Sequence, residues 1–230
     1  MNQARQFILD FEHRPSFSGD DFLVAPANQS AIDWIDQWPN WPAPALAISG
    51  PRGSGKTHLS HVFISRSDAA QIDLKGLGTP DIRAVVAAHG ALVLDNLEDI
   101  AGTSAEETLF HLLNVVREEN RFALLLACNA PARWSVQLPD LRSRLNAIPH
   151  VEIKPPDDAL MAALVVKLFR DHQLRIDTGI VEYILARIER SFGSIRATVA
   201  KIDQTALREQ RNITIPLIKR VLDDVDDIDD

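Results

Sequence analysis

Cysteine is almost missing from this sequence. Cys128 stands alone, so neither an intrachain disulfide nor a cysteine-rich zinc site can form, and the chain fits a reducing compartment. Long apolar runs are missing too, and no stretch approaches the roughly 20 residues needed to cross a bilayer. After Arg5 the N-terminus turns acidic at Asp10 and Glu12 with no apolar run behind, so no secretory signal is expected. These absences point to a soluble, cytoplasmic chain without a membrane partner. A basic excess is also lacking. The net charge is −8, but six of the last eight residues are aspartate (Asp223, Asp224, Asp226, Asp227, Asp229, Asp230), and without them the balance is −2. Residues 1–150 hold 12 basic and 17 acidic side chains, and residues 151–222 hold 12 and 9. Duplex readers usually carry a strongly basic face, so autonomous, sequence-specific DNA binding is disfavoured. There is no internal repeat, and the aspartate run reads as a solvated tail.

What remains is an ordinary globular composition, 46% hydrophobic and 24% charged over 230 residues. That length suits one large or two small domains and can bury a substantial core. After a short arm closed by Arg14-Pro15-Ser16, the chain from Asp21 reads as helix through residues 27–37. It breaks where Pro39, Pro42 and Pro44 forbid continuation. Residues 45–48, 70–74, 91–94, 122–127 and, more weakly, 151–153 are short apolar runs of the buried-strand type. Helical stretches lie between them at 56–65, 81–88 and 104–120, the last capped by Thr103 or Ser104 with Glu106 and Glu107 in its first turn. Alternating strands and helices imply a parallel sheet covered on both faces. After Pro155-Pro156 the strand signals stop. Helices are expected near 157–173, 177–191, 194–210 and 216–225, with Asp157 and Asp177 as starts and Gly193 as a break. Trp34, Trp38 and Trp41 read as packing around the proline-rich turn, and the histidines show no ligand spacing.

Gly50-Pro51-Arg52-Gly53-Ser54-Gly55-Lys56-Thr57 matches the G-x-x-x-x-G-K-[ST] phosphate loop in full, directly after a buried strand and before a helix. Its glycines let backbone N–H groups converge on phosphates, and the helix offers its unpaired amides to the same anion. Lys56 would reach the β/γ-phosphates, and Thr57 would give a hydroxyl to Mg²⁺. Arg52 would add a phosphate contact or face solvent, and solvent is favoured. Asp95, ending the apolar run 91–94, is placed to hold Mg²⁺ through water. The next residue is Asn96, where many such ATPases place a second carboxylate. An amide orients water but cannot take its proton, so intrinsic hydrolysis should be slow unless Glu98 substitutes.

With these motifs in place the chain resembles the AAA+ family, and within it the DnaA initiator branch, over about residues 20–215. Phe22-Leu23-Val24-Ala25-Pro26-Ala27-Asn28 is similar to the block that encloses adenine there, which implies Leu23, Val24 and Asn28 as nucleotide contacts. Asn129, after the run 122–127, takes the place of the family's first sensor near the γ-phosphate. Leu138-Pro139-Asp140-Leu141-Arg142-Ser143-Arg144-Leu145 resembles the segment bearing a trans-acting arginine finger, with Arg144 at the finger and Arg142 as local competitor. Arginine suits that role because its planar, always-charged fork meets two phosphate oxygens. Residues 193–201 resemble the sensor-two helix of the lid, which implies that Arg196 contacts nucleotide.

Full initiators add an N-terminal interaction domain and a C-terminal DNA-binding domain, whereas here about 18 residues precede the first block and aspartates follow the lid. This truncated plan, with its Asp95-Asn96 pair, resembles the Hda family of DnaA regulators. Gln6-Phe7-Ile8-Leu9-Asp10-Phe11 is similar to the peptides that dock on the replicative sliding clamp. Gln6 would sit at a groove's rim and Leu9 and Phe11 in its apolar pocket. The resemblance implies an arm (1–18), an α/β domain (19–154) with a P-loop parallel sheet flanked by helices, a small all-helical lid (155–222) and an acidic tail (223–230). It implies ADP or ATP with Mg²⁺ in the cleft, and a DnaA-type initiator and the DNA polymerase sliding clamp as partners, with a homodimer left open. The expected role is negative regulation of replication initiation, with Arg144 completing the partner's active site. The alternative is a self-contained ATPase or helicase-loader-like remodelling factor using Glu98 as base.

Overall fold

The computed structural model describes residues 13–14, 22–74, 81–174 and 176–226. They fall into two compact units. One holds His13–Pro51 and Gly55–Lys154, the other residues 155–226 with Arg52–Ser54.

The first unit is built on a parallel sheet. Its strands are β3 (Ala45–Ser49), β4 (Ala70–Ile72), β5 (Ala91–Leu94), β6 (Phe122–Ala127) and β7 (His150–Glu152), in the order β4-β5-β6-β3-β7. Central strand β3 pairs with β6 through Ala47↔Leu125 and with β7 through Ile48↔Val151. All five of its residues are buried, as expected where helices cover both faces. The two-residue alternation of a strand then sorts the core. Leu46, Ile48, Val93, Leu124 and Leu126 face one cluster with Leu59 and Phe63 of α2 (Lys56–Ser67) and Ile32 and Ile35 of α1 (Gln29–Asp36). Ala47, Leu92, Leu94, Ala123 and Leu125 face the other. They meet Val86 of α3 (Ile82–Ala88), Leu109, Leu112 and Val116 of α4 (Ala105–Glu118), and Leu141 and Leu145 of α5 (Pro139–Asn146). The tryptophans do pack behind the proline turn: Trp41 stacks on Phe63 at 5.3 Å, Trp38 meets it edge-on at 5.8 Å, and Trp41 Nε1 donates to the Trp34 carbonyl at 2.6 Å.

The second unit is helical: α6 (Asp158–Asp171), α7 (Thr178–Leu185), α8 (Phe192–Glu209) and α9 (Ile215–Asp226). Asp157 and Asp177 cap α6 and α7 as expected, accepting from the N–H of Leu160 (2.7 Å) and Ile180 (2.9 Å).

Three local expectations are corrected. Phe22–Leu23 is a short strand, β2, paired antiparallel with β1 (His13–Arg14), and the helix starts only at Gln29. Gly193 does not break the chain. Ser191 caps α8 by accepting from the Ser194 N–H at 3.0 Å, and Gly193 lies inside the first turn. Strand β4 ends at Ile72, whose partner Leu94 is the last residue of β5.

Candidate functional site

Strands β3, β5 and β6 run parallel, so their C-terminal ends gather the loops that follow. The loop after β3 is the phosphate-loop motif. Gly53 and Gly55 take φ of +74° and +94°, a region L-residues rarely enter, which explains glycine at both positions. Gly55 opens α2, and the Gly50 N–H donates to the Ala127 carbonyl at 3.2 Å, tying the loop's start to the end of β6. Lys56 is 9% exposed, and its ammonium donates to the carbonyls of Gly50 (2.7 Å) and Pro51 (3.0 Å). Ser54 is 3% exposed, and among the described residues its hydroxyl has no hydrogen-bond partner. A buried cation held by carbonyls alone and an orphaned hydroxyl are groups that an anion in the loop would satisfy. Thr57 and Arg52 are exposed.

The neighbouring strand ends supply polar groups. Asp95 follows β5 directly and is half-buried, and its carboxylate accepts from the Asn96 N–H at 2.8 Å. Asn96 has φ of +55°, a conformation asparagine tolerates better than most residues, and is exposed. Glu98, in the short 3-10 turn Leu97–Ile100, accepts from the Cys128 N–H at 3.1 Å. Burial works to raise its pKa, but hydrogen bonds from Cys128 and the charge of Lys56 outweigh it and hold the carboxyl below its ordinary range. Glu98 thus lies within electrostatic reach of Lys56. Asn129 is exposed just past β6, its backbone carbonyl accepting from Trp134 Nε1 at 2.9 Å.

The block at 23–28 joins the same edge. Leu23 lies in β2, Val24 is buried, and buried Asn28 accepts from the Ala25 N–H at 2.9 Å. The Ile153 N–H reaches the Ser49 carbonyl at 2.7 Å and the Lys154 N–H reaches the Ala27 carbonyl at 2.9 Å. Ala27–Asn28 therefore sits beside the strand end from which the phosphate loop departs.

Arg144 is elsewhere. It lies on α5, whose start is set by Pro139, and its guanidinium stands over the Phe110 ring at 5.5 Å. It shares the wall of a cavity of about 600 Å³ with Pro42, Pro44, Ala45, Phe110 and Arg117. Ala45 begins β3, whereas Gly50 follows its end, so five strand residues, roughly 16 Å, separate this cavity's edge from the phosphate loop. Arg142 donates to the Val136 carbonyl. Arg196 is exposed in the first turns of α8. Gln6, Leu9 and Phe11 lie outside the described residues. No group of three or more His, Cys, Asp or Glu side chains suited to a metal occurs among the described residues.

The structure adds Glu106, 4% exposed, whose carboxylate accepts from Gly102, Gln137 and Leu138. In sequence it reads only as a favourable charge at a helix start. The signal was the spacing Thr103-x-x-Glu106, a capping-box pattern that announces backbone capture. Among the described residues no helix is long and apolar enough to cross a membrane.

Comparison with known proteins fits this architecture. Residues 157–222 match a family model described as the Hda lid domain. Domain III of the Thermotoga maritima replication initiation protein DnaA superposes with a TM-score of 0.76 at 17% identity, covering 88% of this chain and 94% of that one. A replication initiator DnaA bound to AMPPCP and single-stranded DNA gives 0.68 at 16% identity over 82% of this chain, and AMPPCP-bound DnaA from Aquifex aeolicus gives 0.67 at 18% over 79%. The chain covers 66% and 63% of those two, just under two thirds of their length. The chain thus has the fold of DnaA domain III, and its residues 157–222 match the lid domain of Hda.

Proposed function

We propose that this protein is a nucleotide-bound negative regulator of replication initiation that stimulates hydrolysis of ATP on a DnaA-type initiator. The observation that carries the reading is the place of Arg144, at the opposite end of β3 from its own phosphate loop. The cavity that Arg144 lines meets β3 at Ala45, roughly 16 Å along the strand from that loop, which argues against service to its own γ-phosphate. From its half-buried place over Phe110 the Arg144 guanidinium would serve a neighbour's nucleotide. Arg142 is the weaker candidate because its guanidinium is committed to the Val136 carbonyl.

The chain's own nucleotide, ADP or ATP, would be held by residues 50–57. Lys56 and the loop amides meet the phosphates, Ser54 gains the partner it lacks, and Leu23, Val24 and Asn28 line the adenine side. Thr57 and Asp95 would hold Mg²⁺, which neutralises phosphate charge; Asn129 and Arg196 would sense the phosphates. Asn96 cannot accept a proton, which fits a site that binds rather than turns over. Gln6, Leu9 and Phe11 would attach the protein to the sliding clamp, and so to DNA.

The test is the lifetime of DnaA-bound ATP with and without this protein and DNA-loaded clamp. Replacing Gln6, Leu9 and Phe11 by alanine should abolish clamp binding and leave the melting temperature unchanged. The alternative, a self-contained ATPase, has one feature in its favour: Glu98, anchored by the Cys128 N–H, is held below its ordinary range and lies within electrostatic reach of Lys56. Rapid turnover by the isolated protein that vanishes in Glu98→Gln would favour it.

A further inference from the structure

We propose that Glu106 is a positioning residue for Arg144: its carboxylate fixes the start of α5 and so aims the arginine that the partner's nucleotide meets. The inference rests on the trans-acting role proposed for Arg144.

Glu106 is the second residue of α4 and almost completely buried. One oxygen accepts from the N–H groups of Gly102 (2.7 Å) and Gln137 (3.0 Å), the other from Gln137 (2.9 Å) and Leu138 (2.8 Å). A single carboxylate thus grips two loops, the one after the Leu97–Ile100 turn and the one that feeds α5. Packing alone does not call for a charge here, since a buried carboxylate is costly and an apolar side chain fills space at least as well. What the charge adds is directional capture of peptide N–H groups, about twice as strong as a neutral acceptor provides.

The capture passes straight to the arginine. Leu138 precedes Pro139, whose ring fixes φ, so a direction set at Leu138 is handed to the helix. Arg142 holds the same loop from the other side by donating to the Val136 carbonyl. On α4, Phe110 follows Glu106 by four residues on the same face and carries the Arg144 guanidinium on its ring. Helix α4 therefore references α5 at two points, its entry and its arginine. Arg144 lies six residues beyond Leu138, a lever of roughly 9 Å. A 10° tilt at that entry moves its Cα by about 1.6 Å on the same lever. Misplacement of ~1 Å in a reacting group costs on the order of 10² in rate.

The experiment measures hydrolysis of DnaA-bound ATP, with DNA-loaded clamp, against concentration of the full-length wild type, Glu106→Gln and Arg144→Ala. The glutamine keeps size but turns one acceptor into a donor facing N–H groups. Glu106→Gln should bind fluorescent ADP as tightly as wild type, half-saturate within about threefold of the wild-type concentration, and lose at least tenfold in maximal rate. A maximal rate within twofold of wild type, while Arg144→Ala loses stimulation, overturns the proposal. So does a merely structural effect, in which ADP binding and half-saturation both worsen and the maximal rate stands. Stimulation by Arg144→Ala at the wild-type level instead overturns the reading beneath it, and the proposal with it. Should the glutamine variant fail to fold, Glu106→Asp, one methylene too short to hold both loops, carries the same expectations and the same refutation.

Discussion

Replacing Lys56 by alanine tests whether residues 50–57 bind a phosphate chain. In the structure the ammonium is buried and donates to the carbonyls of Gly50 and Pro51. Nothing else in the loop brings a buried positive charge, because Arg52 is exposed. A hydrogen bond to a charged group contributes roughly 1.5–3 kcal/mol, so Lys56→Ala should weaken nucleotide binding about 10–150-fold. Ligand at 100 times its dissociation constant stabilises a protein by about 2.7 kcal/mol, or some 5–11 °C in melting temperature for a chain of this size. With affinity cut 100-fold, the same ligand concentration gives only about 0.4 kcal/mol and a 1–2 °C shift. Differential scanning fluorimetry with ADP and ATP reads this directly, and titration of a fluorescent ADP analogue gives the constants. A full-sized nucleotide shift in Lys56→Ala would refute the argument, because the bound species would then lie outside the loop.

Three further outcomes follow from the packing and the caps. Phe63 is fully buried between Trp41 and Trp38, and Phe63→Ala should cost about 3–5 kcal/mol, visible as a lower urea midpoint. Asp177→Ala removes the cap of α7 and should cost about 1 kcal/mol, or 2–4 °C, by the same melting assay. Glu106 gives a pH signature: burial tends to raise its pKa, but the N–H groups of Gln137, Gly102 and Leu138 and the charge of Arg142 outweigh this and hold it below 4.5. Its stabilisation is therefore complete above the unfolded value and disappears as pH falls through the lower folded one. Glu106→Gln should be less stable than wild type at pH 7 and show a shallower loss of stability below about pH 4.5, measured by urea unfolding.

The sheet was legible where strands are buried on both sides. Residues 91–94 and 122–127 are unbroken apolar runs between helical stretches, and β5 and β6 occupy those bounds. Legibility failed where non-local pairing decides the outcome. Phe22–Leu23 pairs with His13–Arg14, a partnership no periodicity announces, and edge strand β4 stops where its single neighbour stops. The phosphate loop could be read residue by residue because its chemistry demands glycine at positive φ and a lysine at the helix start. Arg144 could not: nothing in its spacing separates it from Arg142, and the role proposed for it rests on resemblance. The fold gives the two different contacts, Arg142 with the Val136 carbonyl and Arg144 over the Phe110 ring. Glu106 looked like a charge at a helix end because Gln137 and Leu138, which it holds, are 31 and 32 residues away in sequence.

The most direct measurement is the decay of ATP bound to the DnaA-type initiator, on DNA-loaded clamp, with wild-type protein, Arg144→Ala, or neither. Arginine fingers contribute ~10³–10⁵ in rate. The account predicts rapid conversion to ADP with wild type, and decay with Arg144→Ala as slow as with no protein added. An ATP lifetime that the wild type leaves unchanged, or that Arg144→Ala shortens as much as wild type does, contradicts it.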